Sequence, residues 1–559
     1  LSTTLPRYMV PHVFTYMEEM PMTVSGKLDR KALPEIDFNS IITEAEYIAP
    51  ETEEEKALSE AIEEVLNTQE VSMEDNFFNI GGDSITAIYV VSVLEEMGYE
   101  VHVADIMQSD MLSDVAKAMK STSSKAIYDQ YEVNGFVPFS PIMRAFLNEE
   151  KEIPKDFIHT CVVPVDCEEE TVRKALNILV SHHDMLRGTF TENGIEILPS
   201  SDREVCSFNS ITIEDKDTAT ECLKNTKLQD DKLINVVFCK TEREALVSVT
   251  IHHFLIDLVS WEVFLKDFNT VISQIKNGDK INLPPKTASF KLWSEKLIEY
   301  AEKAENKEYW NDINEQLDKA CSIGANEEND AEKYTITFDK ETSNKLINEV
   351  NSKYGTRTNE VLLTALGLAA GKIAEGSVGI MVESHGRTEL HKPIAVERTV
   401  GWFTSCYPVV INNNENVAEE LINVKETMRR IPKNGIEYLL INEKFHKNTE
   451  ILFNFYKTSL TGDDISFGGT SVFPGTINVN CFAIDGNVTV NIDVPKCKHK
   501  AKISEELGLE MRKQIEKIID VCTKTETVVK TRSDFSDDEL TESELDELID
   551  LFDWTDDDE

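Results

Sequence analysis

Two short stretches of the chain carry residue types that can do chemistry. Residues 252 and 253 are paired histidines at the end of a β-branched run, and an imidazole ionises close enough to neutral pH to serve as an acid or a base. Residues 81–84 read Gly-Gly-Asp-Ser and lead into a segment of helical character. A helix N-terminus favours a phosphate on the Ser84 hydroxyl. The two stretches therefore indicate an acid–base site and a phosphate attachment site.

Each stretch also has a plainer interpretation. Gly-Gly-Asp-Ser by itself is typical of a loop followed by a helix N-cap. A histidine pair is compatible with a metal site, but adjacent side chains on a strand point to opposite faces and no third ligand is evident. We therefore predict no metal, and we expect only one of His252 and His253 to face a common pocket.

The elements that position these residues divide the chain into several units, because 559 residues exceed one hydrophobic core. Residues 45–120 show short amphipathic helical patterns, beginning with a capping box at Thr52 and Glu55, and predict a small all-α bundle. A polar linker at 121–136 follows. Residues 137–530 mix strand-like and helical patterns and predict an α/β domain of two lobes, about 137–310 and 311–530. Residues 1–38 are too short to fold alone.

Composition limits the classes of partner. The net charge of −46 disfavours nucleic acid and anionic lipid, and no stretch reaches the length of a membrane span. The ten cysteines have no disulfide or zinc spacing, as expected of a cytoplasmic protein. Because the chain starts at Leu1 without an initiator Met or a signal-peptide pattern, we expect it to be a fragment of a longer polypeptide.

Residues 75–85 resemble the thiolation site of peptidyl carrier proteins, where the serine receives a covalent 4′-phosphopantetheine from a phosphopantetheinyl transferase. The resemblance implies that Ser84 is the attachment residue of a four-helix carrier domain. Asp83 is similar to the form found in carriers that precede an epimerization domain. Residues 21–31 resemble the last core motif of adenylation domains, in which Lys27 contacts the acyl-adenylate. Taken alone, Lys27 is a basic hairpin tip; the resemblance makes it a remnant of an upstream adenylation domain.

The rest of the chain resembles the condensation superfamily of nonribosomal peptide synthetases, whose fold is two chloramphenicol-acetyltransferase-like lobes around a tunnel. Five motifs occur in the family's order, and the last two distinguish epimerization domains from peptide-bond-forming ones. They lie at residues 138–142, 183–187, 252–257, 383–387 and 398–404.

The resemblance implies a function and a set of site residues. Inversion of an α-carbon needs one group to remove its proton and another to return a proton to the opposite face. By resemblance these groups are His253 and Glu383, in a domain that epimerizes an aminoacyl or peptidyl thioester. Asp257 is expected to be structural, paired with an arginine such as Arg187. His252, Asn454 and Arg398 are expected to support the site.

Three positions depart from the family pattern. Leu258 stands where glycine is usual, and we expect strain or a blocked channel if that position needs a positive φ or close backbone approach. Phe455 lacks the phenol usually found there, and Glu437 replaces another glycine. Two functions therefore stay open: an active isomerase, or an epimerization-like module that only holds and hands on the loaded carrier. A condensation catalyst is a third, disfavoured by residues 398–404.

The last residues, 533–559, contain fourteen Asp or Glu and no Lys or Arg. Such a run is typical of a solvated, disordered tail. Against that, Leu545, Leu548, Ile549 and Phe552 form one apolar stripe at helical spacing. The tail is similar to donor docking helices, which implies a downstream condensation domain on another polypeptide as partner.

Overall fold

The computed structural model describes residues 47–534, except for positions 67, 69–70, 79, 83, 98, 110, 122–127, 129, 151, 202–204, 230, 325–326, 389, 391–393, 458–465, 471, 485, 497 and 526–527. The predictions for Lys27 and for the acidic tail beyond Asp534 lie outside the described residues. Among the helices that are described, none is long and apolar enough to cross a membrane.

The N-terminal unit is a four-helix bundle, as predicted. The Thr52 and Glu55 capping box is present, since each side chain accepts a hydrogen bond from the other's backbone N–H, at 3.1 and 3.0 Å. Leu58 and Ile62 are fully buried on the inner face of the first helix. A two-stranded ribbon that the sequence patterns did not predict closes the bundle. Its elements are α1 (Glu53–Leu66), α2 (Ser84–Glu96), β1 (Tyr99–Glu100), α3 (Val103–Gln108), α4 (Leu112–Ala118) and β2 (Lys120–Ser121).

The first lobe of the large domain is built on two sheets. A three-stranded sheet has the order β3-β6-β5, and β4, β9, β8 and β7 form most of a second sheet. The elements are β3 (Gly135–Pro138), α5 (Pro141–Glu149), β4 (Ile158–Val165), α6 (Glu169–His182), β5 (Gly188–Phe190), β6 (Gly194–Ile197), β7 (Cys206–Thr212), α7 (Lys216–Lys224), β8 (Ile234–Lys240), β9 (Ala245–His252), α8 (Leu258–Asn277), α9 (Phe290–Ala301) and α10 (Lys307–Lys319).

The second lobe contains a six-stranded sheet of order β11-β17-β16-β14-β12-β13 and a short pair, β10 with β18. Its elements are β10 (Glu327–Glu328), β11 (Glu332–Thr337), α11 (Lys340–Asn344), α12 (Val350–Tyr354), α13 (Thr358–Ala374), β12 (Val378–Ser384), β13 (Ser405–Ile411), α14 (Val417–Arg430), α15 (Ile436–Asn442), β14 (Ile451–Lys457), β15 (Ser466–Thr470), β16 (Ile477–Ile484), β17 (Asn487–Val494), β18 (Lys498–His499) and α16 (Ile503–Lys524).

Strand β15 follows β14 in sequence but belongs to the sheet of the first lobe. It pairs antiparallel with β4, which gives that sheet the order β15-β4-β9-β8-β7. At Gly469, with φ of +106°, a Cβ atom would overlap the carbonyl of Ile158 on β4. The second half of the chain therefore contributes a strand to the sheet of the first lobe, an arrangement that the predicted boundary between the lobes did not include.

Packing against helices identifies the two faces of the six-stranded sheet. Ile411 on β13 lies against Gly367 of α13, and Ile492 on β17 lies against Gly508 of α16. In the strand register Ile492 aligns with Val479 and, through it, with Phe453 and Val382. Because side chains alternate along a strand, the neighbours of these residues occupy the other face. We call this the site face; it carries Cys406, Glu383, Asn454 and Tyr456.

Candidate functional site

Ser84 is the first residue of α2. Gly81 has a φ of +104°, a backbone conformation that residues with side chains rarely adopt. A Cβ atom at Gly82 would overlap the ring of Phe77. The two glycines therefore let the loop fold onto Phe77 and enter the helix at residue 84, which is a packing reason that the sequence argument did not include. A phosphate at this position would lie at the N-terminus of a helix of thirteen residues, which favours negative charge.

The two histidines have different surroundings: His252 is the last residue of β9, and His253 begins the 3-10 turn that follows, so the strand alternation assumed for the pair does not apply to it. His252 is fully buried, and both ring nitrogens are engaged: Nε2 lies 3.1 Å from the Pro154 carbonyl, and Nδ1 accepts from the Phe254 N–H at 3.2 Å. Within the described part of the chain, His253 is bonded through Nδ1, which donates to the Ile256 carbonyl at 2.8 Å. A carbonyl can only accept, so in the neutral ring Nε2 carries the lone pair. His253 is thus the member of the pair that can act as a base.

Aromatic rings surround His253. The ring centroids of Phe157 and Trp402 lie 4.8 and 4.5 Å from that of His253, and the ring of His159 lies at 3.9 Å. Burial lowers the pKa of His253, and burial followed by the nearby His253 lowers the pKa of His159 still further. Both rings are therefore neutral at physiological pH, which keeps His253 in the form that accepts a proton.

Glu383 lies on the site face near the C-terminal end of β12. Its Oε2 accepts a hydrogen bond from Asn454 Nδ2 on the neighbouring strand β14, and the same amide nitrogen donates to the Tyr456 hydroxyl. Desolvation raises the pKa of the Glu383 carboxyl to about 7, although the hydrogen bond from Asn454 opposes the shift. At neutral pH the carboxyl therefore populates both forms and can give or take a proton.

An ion pair joins the segments that follow these two residues. Asp257 forms a bidentate pair with Arg387 at 2.8 and 3.0 Å and also accepts from the backbone of Ser260 and Phe403. Asp257 follows His253 by four residues, and Arg387 follows Glu383 by four. Both lie in one buried cluster that anchors the loop after β9 to the loop after β12. All of Asp257's oxygen atoms are used in this cluster, which is a structural arrangement.

The predicted pairing of Asp257 with Arg187 is wrong. Arg187 is fully buried elsewhere, where it donates to Asp184 at 2.8 Å and to the carbonyls of Val180 and Leu198. Its guanidinium binds carbonyl groups at the C-terminal end of α6 and does not contact Asp257. The sequence could not distinguish two arginines that each follow a motif histidine or glutamate.

Arg398 lies in a second buried cluster. Arg398 Nη2 lies 2.5 Å from Asp267 Oδ1 on α8, and His183 Nε2 lies 3.1 Å from Asp267 Oδ2. The His182, His183 and Asp267 ligand atoms lie within 4.8 Å of one another, a spacing compatible with a metal. The Arg398 guanidinium already neutralises this carboxylate, so we interpret the cluster as an ion-pair network.

The departures from the family pattern have local explanations. Leu258 is the first residue of α8 behind the N-cap Asp257, and its backbone is not among the positive-φ positions, so the predicted strain is absent. Glu437 is fully buried and accepts from the Tyr300 hydroxyl at 2.5 Å. Phe455 packs toward the hydrophobic core.

The carrier bundle contacts the large domain near this site. Glu64 on α1 lies 3.1 Å from Lys266 on α8, and the Arg357 guanidinium lies 4.6 Å from the ring of Phe78. Burial, followed by the charge of Glu262 on α8, raises the pKa of Tyr89 well above its usual value. Tyr89 lies on α2, five residues after Ser84. These contacts bring the helix that begins at Ser84 against α8, whose N-cap is Asp257.

Comparison with known proteins agrees with this architecture. The model of the condensation-domain family matches residues 134–541, and that of the phosphopantetheine attachment site matches residues 56–119. The chain belongs to the condensation-domain family. Its condensation domain follows a carrier domain, so the chain carries a covalent 4′-phosphopantetheine. In the modular setting of a nonribosomal peptide synthetase, a phosphopantetheinyl transferase is its partner.

Named relatives are also synthetases. The chain is 29% identical over 598 residues to bacitracin synthase 2 of Bacillus licheniformis, covering 100% of this chain and 23% of the relative. It is 29% identical over 601 residues to tyrocidine synthase 1 of Brevibacillus parabrevis, covering 98% of this chain and 55% of the relative. The chain thus spans about half or less of the length of these relatives.

Among solved structures, the epimerization domain from the third module of tyrocidine synthetase B superposes with a TM-score of 0.61 at 25% identity, covering 71% of this chain and all of that domain. The large domain therefore has the condensation-family fold of two chloramphenicol-acetyltransferase-like lobes, as predicted.

Three residues of the site were missed by the sequence argument. His159 lies on β4, outside all five motifs, and no local signal identifies it. Arg387 is the last residue of the motif at 383–387, but no partner was predicted for it. Tyr456 had a usable signal: residues two apart on a strand share a face, and Tyr456 follows Asn454 by two.

Proposed function

We propose that the large domain inverts the α-carbon of an aminoacyl or peptidyl thioester on the phosphopantetheine arm of Ser84. The observation that carries the proposal is the pair of acid–base groups with complementary states: a neutral His253 with a free Nε2 lone pair, and Glu383 with a pKa of about 7. The resemblance of residues 383–387 and 398–404 to epimerization motifs supports it. So does the similarity to an epimerization domain over that domain's whole length.

The reaction balances with these two groups alone. One of them removes the α-proton, and the electron pair of the C–H bond delocalises onto the thioester oxygen as an enolate. The other group returns a proton to the opposite face of the α-carbon, and the electron pair moves back. Solvent exchange then restores both groups to their starting protonation states. A D/L mixture results from an L-configured substrate.

The first experiment identifies the attachment residue. The chain is incubated with coenzyme A and a phosphopantetheinyl transferase, and intact mass is measured. We expect the mass of one arm to be added, and Ser84→Ala to abolish the addition. A gain that persists in Ser84→Ala would assign the arm to another residue.

The second experiment tests catalysis. The chain is loaded with an L-aminoacyl pantetheine in deuterated water, and the hydrolysed product is analysed for chirality and α-deuterium. We expect His253→Ala and Glu383→Gln each to slow D/L equilibration by about 10²–10⁴-fold, as for loss of a general acid or base. Glu419→Gln, an exposed carboxylate on α14, is the matched control and should equilibrate at the normal rate.

Two outcomes would contradict the proposal. Retention of the L configuration without α-deuterium in the unmodified chain would favour the module that only holds and hands on the carrier. A dipeptide formed with an added acceptor aminoacyl carrier, without inversion, would identify a condensation catalyst instead.

A further inference from the structure

We propose that the Tyr456 hydroxyl is a positioning group for the Glu383 carboxyl, acting through the side-chain amide of Asn454. The inference rests on the proposed function, because it assigns a role within the same acid–base site. Tyr456 does not match the family pattern, in which the phenol stands one position earlier.

Strand register places the three side chains in one group. Ile380, Met381 and Val382 of β12 align in parallel with Ile451, Leu452 and Phe453 of β14, so the next pair along is Glu383 and Asn454. Tyr456 lies two residues beyond Asn454 and therefore on the same site face. Its ring stacks on Phe482 of β16, with centroids 5.1 Å apart and planes inclined by 23°. The ring is thus held from the side opposite β12.

The hydrogen bonds give the hydroxyl a defined effect. Asn454 Nδ2 has two hydrogens; one goes to Glu383 Oε2 and the other to the Tyr456 oxygen. With both hydrogens engaged, the amide oxygen is turned away from the carboxyl. If the amide flipped, its oxygen would face Glu383 and would favour the protonated carboxyl, which can donate to it. The Tyr456 hydroxyl could also donate to a flipped amide oxygen, so what it fixes is the position of the amide beside the carboxyl. With Nδ2 facing Glu383, as in the structure, the held amide stabilises the carboxylate.

Among the described residues, burial and the hydrogen bond from Asn454 are what shift the pKa of the Glu383 carboxyl. Cys406 lies opposite Glu383 on β13, and burial followed by the charge of Glu383 raises the pKa of its thiol well above the usual value. Burial, then the charge of Glu383, likewise raises the pKa of Tyr456. Asp257 is neutralised by Arg387. At neutral pH the cysteine and the tyrosine are uncharged, so the orientation of the Asn454 amide is the adjustable influence on Glu383.

A phenol at position 455 could not do the same work. Phe455 alternates with Asn454 along β14 and lies toward the core with Phe453. A tyrosine there would present its hydroxyl to the face covered by α13 and α16. In this chain the phenol that reaches Glu383 and Asn454 is the one at 456.

The test compares Tyr456→Phe with the unmodified loaded chain. The substitution removes one oxygen and retains the stacking on Phe482, so the fold should be kept. We expect D/L equilibration to slow by about 10-fold at its optimum, and the limb of the pH–rate profile set by Glu383 to move up by about one pH unit, as expected for loss of a hydrogen bond that supports a charged group.

A second readout does not depend on turnover. The titration of Glu383 is followed in the full chain by infrared difference spectroscopy, with Glu383→Gln used to assign the protonated-carboxyl band. We expect the titration midpoint to rise in Tyr456→Phe. A midpoint equal to that of the unmodified chain would overturn the role of Tyr456, even if the chain proved to be inactive as an epimerase.

The double variant Phe455→Tyr, Tyr456→Phe moves the phenol by one position and is the matched control. It should behave like Tyr456→Phe in both readouts. Recovery of the normal midpoint would contradict the assignment to the site face. An unmodified chain that fails to invert its cargo, with a midpoint that still responds to Tyr456→Phe, would count against the proposed function and support the positioning role.

Discussion

The surroundings of Glu383 and His253 favour the uncharged form of both side chains. Desolvation favours the neutral state of each, so the pKa of the histidine falls and that of the glutamic acid rises to about 7. The same environment that suits proton transfer therefore costs folding stability once the carboxyl ionises. The site is consequently a place where a less reactive residue should make the protein more stable.

The sign of this effect can be tested with Glu383→Gln. A carboxyl whose pKa is raised in the folded state loses stability as the pH rises from its unfolded value of 4.5 to about 7, because the unfolded chain releases the proton first. Glutamine has no proton to release. We expect the free energy of unfolding of Glu383→Gln, relative to that of the unmodified chain, to be about 3 kcal/mol higher at pH 8 than at pH 4, since a one-unit difference in pKa corresponds to about 1.4 kcal/mol.

Urea unfolding at the two pH values, monitored on the large domain, measures this difference. Glu419→Gln removes an exposed carboxylate on α14 and is the control against which the Glu383→Gln difference is compared. A Glu383→Gln difference that is the same at both pH values would mean that the carboxyl is not desolvated in the folded state.

At the scale of elements, the loops after β9 and β12 depend on the buried Asp257–Arg387 pair. Both side chains are almost fully buried, and Asp257 also caps α8. Removing one partner of a buried pair leaves an uncompensated charge. We expect Arg387→Met to lower the free energy of unfolding by about 3–5 kcal/mol, and to reduce turnover through displacement of His253 and Glu383. Lys333→Met, at an exposed lysine paired with Asp493 on the β11–β17 edge, should change stability by less than about 1 kcal/mol. Equal effects of the two substitutions in thermal unfolding would contradict the anchoring role.

The carrier bundle and α8 are also joined by charge. Glu64 and Lys266 are half exposed, so their pair contributes little to stability, but it can select the docked position. We expect Glu64→Lys or Lys266→Glu to slow epimerization of the loaded chain severalfold, and the double reversal to restore it. The exposed pair Lys155–Asp231, reversed at Lys155, is the control and should have no effect. A double variant as slow as either single one would exclude a direct interaction between these two residues during turnover.

Local patterns predicted individual elements, whereas long-range partners left no local signal. The capping box at Thr52 and Glu55 and the strand that ends in His252 follow from spacing alone. The position of β15 in the sheet of the first lobe depends on pairing with β4, about three hundred residues earlier, which no local pattern indicates. The pairing of Asp257 with Arg387 was not predicted for the same reason. Strain at Leu258 was predicted because glycine is usual at this position in the family. In this chain Asp257 is the N-cap of α8, and Leu258 is the first residue of the helix.

At the scale of the whole molecule, the carrier with its arm and the condensation-family domain form one working pair, and the remaining question is how the cargo leaves it. The acidic residues 533–559 extend beyond the described part of the chain, and Leu545, Leu548, Ile549 and Phe552 make one apolar stripe among fourteen acidic groups. We propose that this tail docks as a helix in a basic groove of a downstream condensation domain. Neither Ser84 nor the Glu383 site lies in this segment.

Deletion of residues 535–559 should therefore leave arm loading and D/L equilibration unchanged and should reduce transfer of the cargo. Binding should weaken with salt, because exposed charges are screened over about 8 Å at physiological ionic strength. The apolar stripe supplies the attraction that salt does not screen, so Leu548→Asp should impair transfer even at high salt. Ser543→Asp adds the same charge on the opposite side of the predicted helix and serves as the control. A dipeptide-formation assay with the downstream subunit measures transfer for the four forms. If the tail is only a solvated segment, the full-length, deleted and Leu548→Asp chains will give equal yields at every salt concentration, whereas docking requires the deleted and Leu548→Asp chains alone to fail.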